Sequence, residues 1–255
     1  MGLGLRTLVV IPTYNEIESL PRQIEGVRTH TPNVDILVAD DSSPDGTGEW
    51  AAKQAKRDQH INVLHRTSKE GLGAAYLDAF AWGLKHDYDV IVEMDADGSH
   101  QASQLQSLLD RVGEQGLVIG SRWMKGGSVV NWPWHRELLS RGANLYVRIA
   151  LGLKVKDSTA GFRAYTAQTL KALDLTEVAT QGYGFQVDMT WRTKRAGVTI
   201  AEVPIEFVER THGQSKMSGF IVREAFTSVA KWAIAYRWGQ FVGLFRRSGA
   251  DSTGA

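Results

Sequence analysis

The sequence predicts an α/β protein built on a doubly wound, mostly parallel β-sheet with helices on both faces. In the first half of the chain, short runs rich in β-branched residues alternate with longer segments of helical periodicity, which is typical of β-α-β units. The residues that follow these runs are unusually polar, as expected where the carboxyl ends of parallel strands form a ligand site. A length of 255 residues with 43% hydrophobic side chains is sufficient for one substantial core.

The alternation of the two patterns gives the order of the elements. Strands are predicted at 7–11, 35–39, 62–65, 90–94 and 117–120, and helices between them at 17–29, 48–57, 72–86 and 102–114. After Ser121 a Gly- and Trp-rich loop at 123–134 has the composition of a lid. The remaining predicted elements are helices at 136–151, 167–173 and 184–195, a strand at 199–203 and a long final helix at 218–245.

The domain organisation is predicted to be simple. Neither an internal repeat nor a linker marks a second domain, so residues 1–247 are expected to form a single domain. The small, polar residues 248–255 predict a disordered tail.

Composition excludes several classes of function. The formal net charge is only +1, from 29 basic and 28 acidic residues, so we expect no nucleic-acid partner. The absence of cysteine excludes disulfides, thiolate zinc sites and cysteine nucleophiles. No run of about 18 uncharged apolar residues occurs, and the first residues do not resemble a secretory signal. We therefore expect a cytoplasmic protein that is soluble or peripheral to a membrane.

Two predicted strands are followed by residues suited to a nucleoside. Pro12, Tyr14 and Glu16 follow the first strand and would present an aromatic face and a carboxylate, while Asp40 follows the second strand and could accept hydrogen bonds from a base or ribose. A helix start capped by Asn15 explains the first group equally well. Ordinary turn chemistry explains the Pro-Asp-Gly sequence after Asp40.

The segment after the fourth strand carries the strongest chemical signal. Asp95 and Asp97 leave a buried apolar strand two residues apart, and like charges this close need a cation or hydrogen-bond donors nearby. Hard oxygen ligands suit Mg²⁺ or Mn²⁺ bound together with a diphosphate. The alternative is a pair of helix-capping aspartates. The histidines show no ligand spacing, so His100 is expected to be an ordinary surface residue or to act behind the site.

Other catalytic classes lack their motifs. The glycines at 71–75 lack the third glycine of a dinucleotide fingerprint and do not follow the first strand, which disfavours hydride transfer. The chain also contains neither a Walker lysine loop nor a Gly-x-Ser-x-Gly elbow.

Nine short motifs occur in order between Thr7 and Lys216 and carry a family resemblance. They are PTYNE, VADDSSPDGT, KEGLGAAY, MDADGSH, GSRWMKGG, NWPWHR, STAGFR, GYGFQVD and RTHGQSK. This series resembles the polyprenyl- or dolichyl-phosphate mannose synthases, which are inverting glycosyltransferases of family 2 with a GT-A fold. The resemblance implies transfer of mannose from GDP-mannose to a polyprenyl monophosphate. A UDP-glucose-dependent glucosyltransferase and a catalytically silent sugar-nucleotide-binding subunit remain alternatives.

The resemblance also implies roles for particular residues. It implies that the guanosine part of the donor is bound by Pro12, Tyr14, Glu16, Val38 and Asp40. The ribose, the diphosphate and Mg²⁺ or Mn²⁺ would be bound by Asp95, Ala96 and Asp97. Ser99 stands where some relatives carry a glutamine that contacts the metal or phosphate. Arg210 and Lys216 match donor-phosphate positions, and Gln186 and Asp188 are expected to face the sugar. Arg122, Arg136 and Ser140 match positions that hold the acceptor phosphate.

The final segment predicts a membrane contact. Residues 216–247 contain six basic side chains and one acidic side chain interleaved with aromatic residues, as in a helix that lies in a membrane interface. Packing of this helix on the sheet is the alternative, and we expect its first half to pack and its second half to touch lipid. The expected partners are therefore a membrane surface, on its cytoplasmic face, and a separate membrane-anchoring protein.

Overall fold

A computed structural model of the chain describes residues 4–178, 183–209 and 227–234. Its centre is a seven-stranded sheet with the strand order β3-β2-β1-β4-β7-β5-β8. These strands are β1 (Thr7–Thr13), β2 (Asp35–Asp40), β3 (Ile61–His65), β4 (Val90–Glu93), β5 (Leu117–Ser121), β7 (Arg163–Thr166) and β8 (Ile200–Pro204). All neighbours pair in parallel except β7, which runs antiparallel between β4 and β5. A second, two-stranded sheet pairs β6 (Ser128–Val130) with β9 (Glu206–Val208).

Helices connect the strands and cover both faces of the sheet. They are α1 (Leu20–His30), α2 (Thr47–Ala55), α3 (Leu72–Lys85), α4 (Leu105–Val112), α5 (Trp134–Leu151), α6 (Ala167–Ala172) and α7 (Tyr183–Arg195). Short 3₁₀ turns occupy Ala102–Gln104 and Leu175–Glu177. Residues 227–234 are helical.

The core is divided by the sheet, because alternate side chains of a strand point to opposite faces. Val9 and Ile11 of β1 belong to one buried cluster, which includes α1 and α4. Leu8 and Val10 of the same strand belong to the other cluster, which includes α3 and α7. Burial of all four on one strand confirms the predicted sheet with helices on both faces.

The five predicted strands of the first half are present, with ends that differ by one or two residues. Strand β1 extends to Thr13 because Pro12 and Thr13 continue the ladder opposite Ala39 and Asp40. Strands β6, β7 and β9 were not predicted. They contain only three or four residues each, which is too short for a clear periodicity.

Two predicted helix starts are wrong. The first helix begins at Leu20 rather than at residue 17, and Asn15, with φ of 60°, does not cap it. Instead, the chain makes a turn in which the amide of Leu20 donates to the carbonyl of Glu16. The predicted helix 136–151 begins two residues earlier at Trp134, directly after Pro133. The extended backbone of Pro133 fixes that start because proline supplies no amide to an earlier turn.

The structure describes only part of the C-terminal segment for which elements were predicted. Of the predicted helix 218–245, residues 227–234 are described and are helical, and the tail at 248–255 lies outside the described residues. Within the ranges that the structure describes, no helix is both long enough and apolar enough to cross a membrane.

Candidate active site

The loops after β1 and β2 are joined at the carboxyl edge of the sheet. The amide of Asn15 donates to the Ser43 hydroxyl at 3.0 Å, and the amide of Glu16 donates to Thr47 Oγ1 at 3.0 Å. The amide of Ile17 donates to the Asp45 carboxylate at 3.1 Å. The first-strand residues that were expected to bind a nucleoside therefore lie against the second-strand residues, on a preformed surface.

Asp40 is fixed beneath this surface. Its carboxylate accepts hydrogen bonds from Thr13 Oγ1 at 2.9 Å, Ser43 Oγ at 2.6 Å and the Ser43 amide at 3.0 Å. The residue is only 2% exposed, and Gly48 of α2 approaches it so closely that a Cβ there would lie 2.5 Å from Oδ2. Asp40 thus joins β1, β2 and α2, and a nucleoside would meet a carboxylate that is already oriented.

The other predicted nucleoside residues differ in accessibility. Pro12, Tyr14 and Glu16 are partly exposed at the sheet edge, and the Lys69 ammonium lies 3.7 Å from the centre of the Tyr14 ring. The side chain of Val38, in contrast, is fully buried in the hydrophobic cluster shared with α1. The side chain of Val38 thus faces the core rather than the edge, and its predicted part in the nucleoside site stays a prediction.

The Asp95–Asp97 segment directly follows β4 at the same edge. The side chain of Asp95 is 34% exposed, Asp97 is partly exposed, and Ala96 between them is buried. Asp97 Oδ1 accepts a hydrogen bond from the Ser99 amide at 3.0 Å, which shapes the turn. The hydroxyl of Ser99 is buried and has no hydrogen-bond partner among the described residues.

His100 supports Asp95 from behind. The amide of Asp95 donates to His100 Nδ1 at 3.0 Å, so a neutral ring carries its proton on Nε2, which lies 3.8 Å from Asp95 Oδ2. The ring is 1% exposed, stacks on Phe162 and meets Phe207 edge-on. From the sequence, only the short separation from Asp95 and Asp97 indicated that His100 lies near them. Its hydrogen bond with the Asp95 amide forms only in the folded turn, so the sequence could not predict it.

A buried polar group lies beneath the Asp95 loop. Glu93 is fully buried on β4, and burial, strengthened by the nearby charge of Asp95, raises its pKa to about 7 despite the opposing effect of Arg163. Gln186 of α7 donates to Glu93 Oε2 at 2.6 Å and is 3% exposed. The amide nitrogen of Gln186 is thus bonded to Glu93, whereas its Oε1 is buried and has no hydrogen-bond partner among the described residues. The predicted contact of Gln186 with the sugar stays a prediction.

Asp188, the other sugar-facing prediction, is 4% exposed and pairs with Arg192 at 3.0 Å. Burial raises the pKa of Asp188 in spite of that arginine. Its carboxylate is thus paired with an arginine one turn further along the same helix. The predicted contact of Asp188 with the sugar stays a prediction.

Arg122, predicted to hold an acceptor phosphate, is a partner of Asp157. Its Nε and Nη2 each lie 2.7 Å from a different oxygen of the Asp157 carboxylate, and its backbone amide donates to the same carboxylate at 3.0 Å. The arginine is 4% exposed and the aspartate is fully buried. Burial alone would raise the pKa of Asp157, but the charge and hydrogen bonds of Arg122 lower it below its usual value. This pairing gives Arg122 a structural role, and its predicted contact with the acceptor phosphate stays a prediction.

Arg136 and Ser140 lie at the start of α5, beside the Trp-rich loop. Arg136 is paired with Glu209 at 2.6 Å and stacks on the Trp132 ring, with its guanidinium carbon 4.0 Å from the ring centre. Ser140 is partly exposed one turn further along. The indole nitrogens of Trp123 and Trp132 are buried and have no hydrogen-bond partner within the described ranges. Cations and indole N–H donors are thus gathered at one place, as an anionic ligand requires.

Two predicted donor-phosphate residues, Arg210 and Lys216, lie outside the described residues. Among the residues that are described, no group of three or more His, Asp, Glu or Cys side chains could hold a metal ion. The partly exposed carboxylates of Asp95 and Asp97 nevertheless fit a hard divalent cation that takes its other ligands from water and phosphate.

A sheet with this topology, with an Asp-x-Asp turn at its carboxyl edge and a cation-rich loop beside it, defines an enzyme of the nucleotide-sugar glycosyltransferase class. The chain belongs to glycosyl transferase family 2, whose sequence model matches residues 8–173. The predicted family and class of enzyme are therefore confirmed.

The sequence relatives are close and cover most of the chain. The undecaprenyl-phosphate mannosyltransferase of Micrococcus luteus is 57% identical over 92% of this chain and 96% of its own length. The polyprenol monophosphomannose synthase of Mycolicibacterium smegmatis is 52% identical over 94% of this chain and 92% of its own length. These names confirm the resemblance to polyprenyl-phosphate mannose synthases.

Solved structures confirm the GT-A fold at lower sequence identity. The glucosyl-3-phosphoglycerate synthase of Mycobacterium tuberculosis superposes with a TM-score of 0.66 at 20% identity, covering 89% of this chain and 80% of that chain. The mannosyl-3-phosphoglycerate synthase of Rubrobacter xylanophilus gives a TM-score of 0.63 at 20% identity, covering 93% and 75% of the two chains.

Proposed function

We propose that the enzyme transfers mannose from GDP-mannose to a polyprenyl monophosphate, with inversion at the anomeric carbon. The observation that carries this proposal is the match, at 57% identity over 92% of the chain, to a relative named undecaprenyl-phosphate mannosyltransferase. The geometry supports it, because the joined loops after β1 and β2 and the Asp95–Asp97 turn after β4 all follow the carboxyl ends of neighbouring parallel strands.

The donor is proposed to lie along the carboxyl edge of the sheet. Tyr14 and Pro12 offer apolar surface to the base, and the oriented carboxylate of Asp40 offers hydrogen-bond acceptors. Asp95 and Asp97 would hold a divalent cation, Mg²⁺ or Mn²⁺, which when bound neutralises charge on the diphosphate. A Mycobacterium tuberculosis glucosyl-3-phosphoglycerate synthase has been crystallised with Mn²⁺ and UDP-glucose, which supports a divalent cation in a related fold.

The reaction needs positioning more than proton transfer. A phosphate oxygen of the acceptor supplies the electron pair of the new bond to C1, and the bond from C1 to the β-phosphate oxygen breaks so that its electron pair leaves with GDP. Because the attacking phosphate is already anionic, no general base is required. The cations Arg136, Arg210 and Lys216 would orient the anions for this in-line displacement.

Arg136 is the proposed contact for the acceptor phosphate within the described residues. Its side chain is 21% exposed and paired with Glu209, whereas the side chain of Arg122 is 4% exposed and paired with Asp157. A phosphate can therefore reach Arg136 with less rearrangement. The indole N–H groups of Trp123 and Trp132 lie in the same cluster and could donate to the phosphate oxygens. Arg122 would position this cluster through Asp157 and the aromatic rings around it.

The proposal is tested by turnover of labelled donor. The enzyme is incubated with radiolabelled GDP-mannose and polyprenyl phosphate, and product is recovered by organic extraction, with and without a chelator. Mannolipid should form only when a divalent cation is present. Equal or faster transfer from UDP-glucose would reassign the donor, and donor binding without any turnover would support a silent subunit instead.

The role of the Asp-x-Asp turn is tested separately by calorimetry. In Asp97→Asn, Mn²⁺ should no longer enhance GDP binding, whereas Asp110→Asn, which changes an exposed aspartate on α4, should behave like the parent. If Mn²⁺ and Mg²⁺ leave GDP affinity unchanged in the parent, the proposed cation site is wrong.

We also propose that the enzyme is peripheral on the cytoplasmic face of a membrane. A polyprenyl acceptor is confined to the bilayer, so an enzyme that uses it must reach the lipid headgroups. A separate membrane-anchoring protein is a further proposed partner. Copurification with a membrane fraction, and its release by high salt, distinguishes peripheral attachment from an anchored complex.

A further inference from the structure

A buried tyrosine on α3 carries a hydroxyl group without a partner in the described part of the chain. Tyr76 is the last residue of the KEGLGAAY motif, and its side chain is fully buried. The other two tyrosines buried there are paired, since Tyr88 donates to Asp35 at 2.7 Å and Tyr165 accepts from Arg163 at 3.3 Å. A buried tyrosine hydroxyl normally finds a partner because an unpaired one costs stability, so that of Tyr76 requires an explanation.

The ring of Tyr76 is held in place by two aromatic contacts. It stacks on Phe80 of the same helix, with ring centres 6.0 Å apart, and on Phe185 of α7, with centres 6.1 Å apart and planes within 8°. Both phenylalanines are fully buried. These contacts fix the direction of the hydroxyl, because the ring cannot turn without displacing a packed neighbour.

The hydroxyl of Tyr76 is directed toward the Asp95 turn. Helix α3 follows β3 and therefore begins at the carboxyl edge of the sheet, and helical side chains tilt toward the start of their helix. On the α7 side, Phe185 is followed by Gln186, which donates to Glu93 Oε2 at 2.6 Å. Glu93 precedes Asp95 by two residues. Tyr76 thus lies below the turn that carries Asp95.

The electrostatic surroundings of Tyr76 agree with this placement. Burial raises the pKa of its hydroxyl well above the usual value, and nearby carboxylates raise it further, Asp95 more than Glu93 or Asp97. The phenol therefore stays protonated and can donate to a carboxylate. Because the charge of Asp95 has the largest effect among the three, Asp95 is the acceptor best placed for it.

We propose that Tyr76 is a positioning residue of the donor site, whose hydroxyl donates a hydrogen bond to the Asp95 carboxylate when nucleotide and cation bind. The inference rests on the proposed function in one respect, because it takes Asp95 as a residue of that site. Tyr76 is fully enclosed, so its partner must be a side chain and not the nucleotide itself. The side chain of Asp95 is 34% exposed and has two oxygens, so one can face the ligand while the other accepts from Tyr76.

This role predicts that removal of the hydroxyl stabilises the ligand-free enzyme. Tyr76→Phe keeps the stacked ring and removes a buried polar group, so the melting temperature should rise by about 2–4 °C. The matched control is Tyr88→Phe, which removes the hydroxyl that donates to Asp35. Tyr88 lies just before β4, at the opposite, amino edge of the sheet. The melting temperature of this control should fall, because its change leaves Asp35 without that donor.

The same substitution should weaken binding of the nucleotide. Calorimetry with GDP in Mn²⁺ should give an affinity about tenfold lower for Tyr76→Phe than for the parent, as expected for loss of one hydrogen bond to a charged group. Tyr88→Phe should bind GDP as the parent does. In an Asp95→Asn background, Tyr76→Phe should change GDP affinity much less, because the hydroxyl acts through the Asp95 carboxylate.

Three results would overturn the proposal. A lower melting temperature of Tyr76→Phe would mean that the hydroxyl is already paired in the ligand-free enzyme, for example with Glu93. Unchanged GDP affinity would remove Tyr76 from the donor site. An equal, tenfold loss of affinity in the parent and Asp95→Asn backgrounds would show that Tyr76 does not act through Asp95.

Turnover separates this proposal from the proposed function. If the parent binds GDP but transfers no mannose from GDP-mannose to polyprenyl phosphate, the proposed function is wrong. The role of Tyr76 then stands if Tyr76→Phe combines a higher melting temperature with weaker GDP binding, and fails if it does not. Conversely, mannose transfer by the parent together with parental GDP affinity in Tyr76→Phe would remove the role of Tyr76 and leave the proposed function intact.

Discussion

Arg122 and Asp157 form a bidentate ion pair beneath the Trp-rich loop, 35 residues apart in the chain. Asn144 of α5 lies beside them, with its amide 3.3 Å from Asp157 Oδ1, and Thr159 also hydrogen-bonds to Asp157. The pair thus ties the end of β5 to the loop before β7 and to α5. The helix that carries Arg136 is positioned by this buried contact.

Arg122→Ala is therefore expected to destabilise the fold as well as reduce turnover. Removing one partner of a buried, hydrogen-bonded pair leaves an uncompensated charge and costs about 3–5 kcal/mol. Urea unfolding monitored by circular dichroism measures this loss. Asp157→Asn should cost a similar amount, and the double variant should cost less than the sum of the two. Additive losses would contradict the pairing.

Arg136→Ala is expected to weaken binding of the acceptor with little loss of stability, in contrast to Arg122→Ala. Its ion pair with Glu209 is partly exposed, with 21% and 26% of the two side chains accessible, so stability should fall by no more than about 1 kcal/mol. The KM for polyprenyl phosphate should rise, while the affinity for GDP stays at the parental value. A stable variant with an unchanged acceptor KM would remove Arg136 from the acceptor site.

The raised pKa of Glu93 makes the stability of the unliganded parent protein depend on pH. Its folded value of about 7 is higher than the usual 4.5, so the folded state retains a proton that the unfolded state releases between these values. Stability should therefore fall as the pH rises from about 4.5 to about 7, and change little from this group at higher pH. In Glu93→Gln, the melting temperature should change less with pH between about 4.5 and about 7 than it does in the parent. An identical slope in parent and variant would show that another group is responsible.

Gly48 is expected to be required at its position. A Cβ at residue 48 would lie 2.5 Å from Asp40 Oδ2 and 2.9 Å from its Cγ, so Gly48→Ala must displace the carboxylate or helix α2. GDP affinity should fall by about tenfold, as expected for loss of an oriented hydrogen-bonding group. The control is Gly142→Ala on α5, where a Cβ meets nothing within 4 Å. That control should bind GDP normally and gain about 0.5–1 kcal/mol of stability, because alanine favours a helix.

The sequence predicted the repeating features of the molecule more successfully than its pairwise contacts. Long apolar runs placed β1, β2 and β4, and the position of Asp95 and Asp97 after a strand placed them at the carboxyl edge. Strand β7 was missed because its four residues have no periodicity of their own, and its antiparallel position depends on pairing with Glu93 and Val92. Local sequence also could not show that Arg122 is satisfied by Asp157, since that contact exists only after β5, β7 and α5 assemble.

The prediction that most directly tests the support of the Asp-x-Asp turn concerns His100. His100→Phe preserves a flat ring between Phe162 and Phe207 but removes the acceptor of the Asp95 amide. An unsatisfied buried amide costs about 1–3 kcal/mol, and part of this loss can be relieved only if the Asp95 turn moves. We expect a folded variant whose GDP affinity in Mn²⁺ is reduced, while its GDP affinity in chelator equals that of the parent. Calorimetry under both conditions measures the difference. Equal losses with and without the cation would mean that His100 supports the fold generally and not the geometry of Asp95.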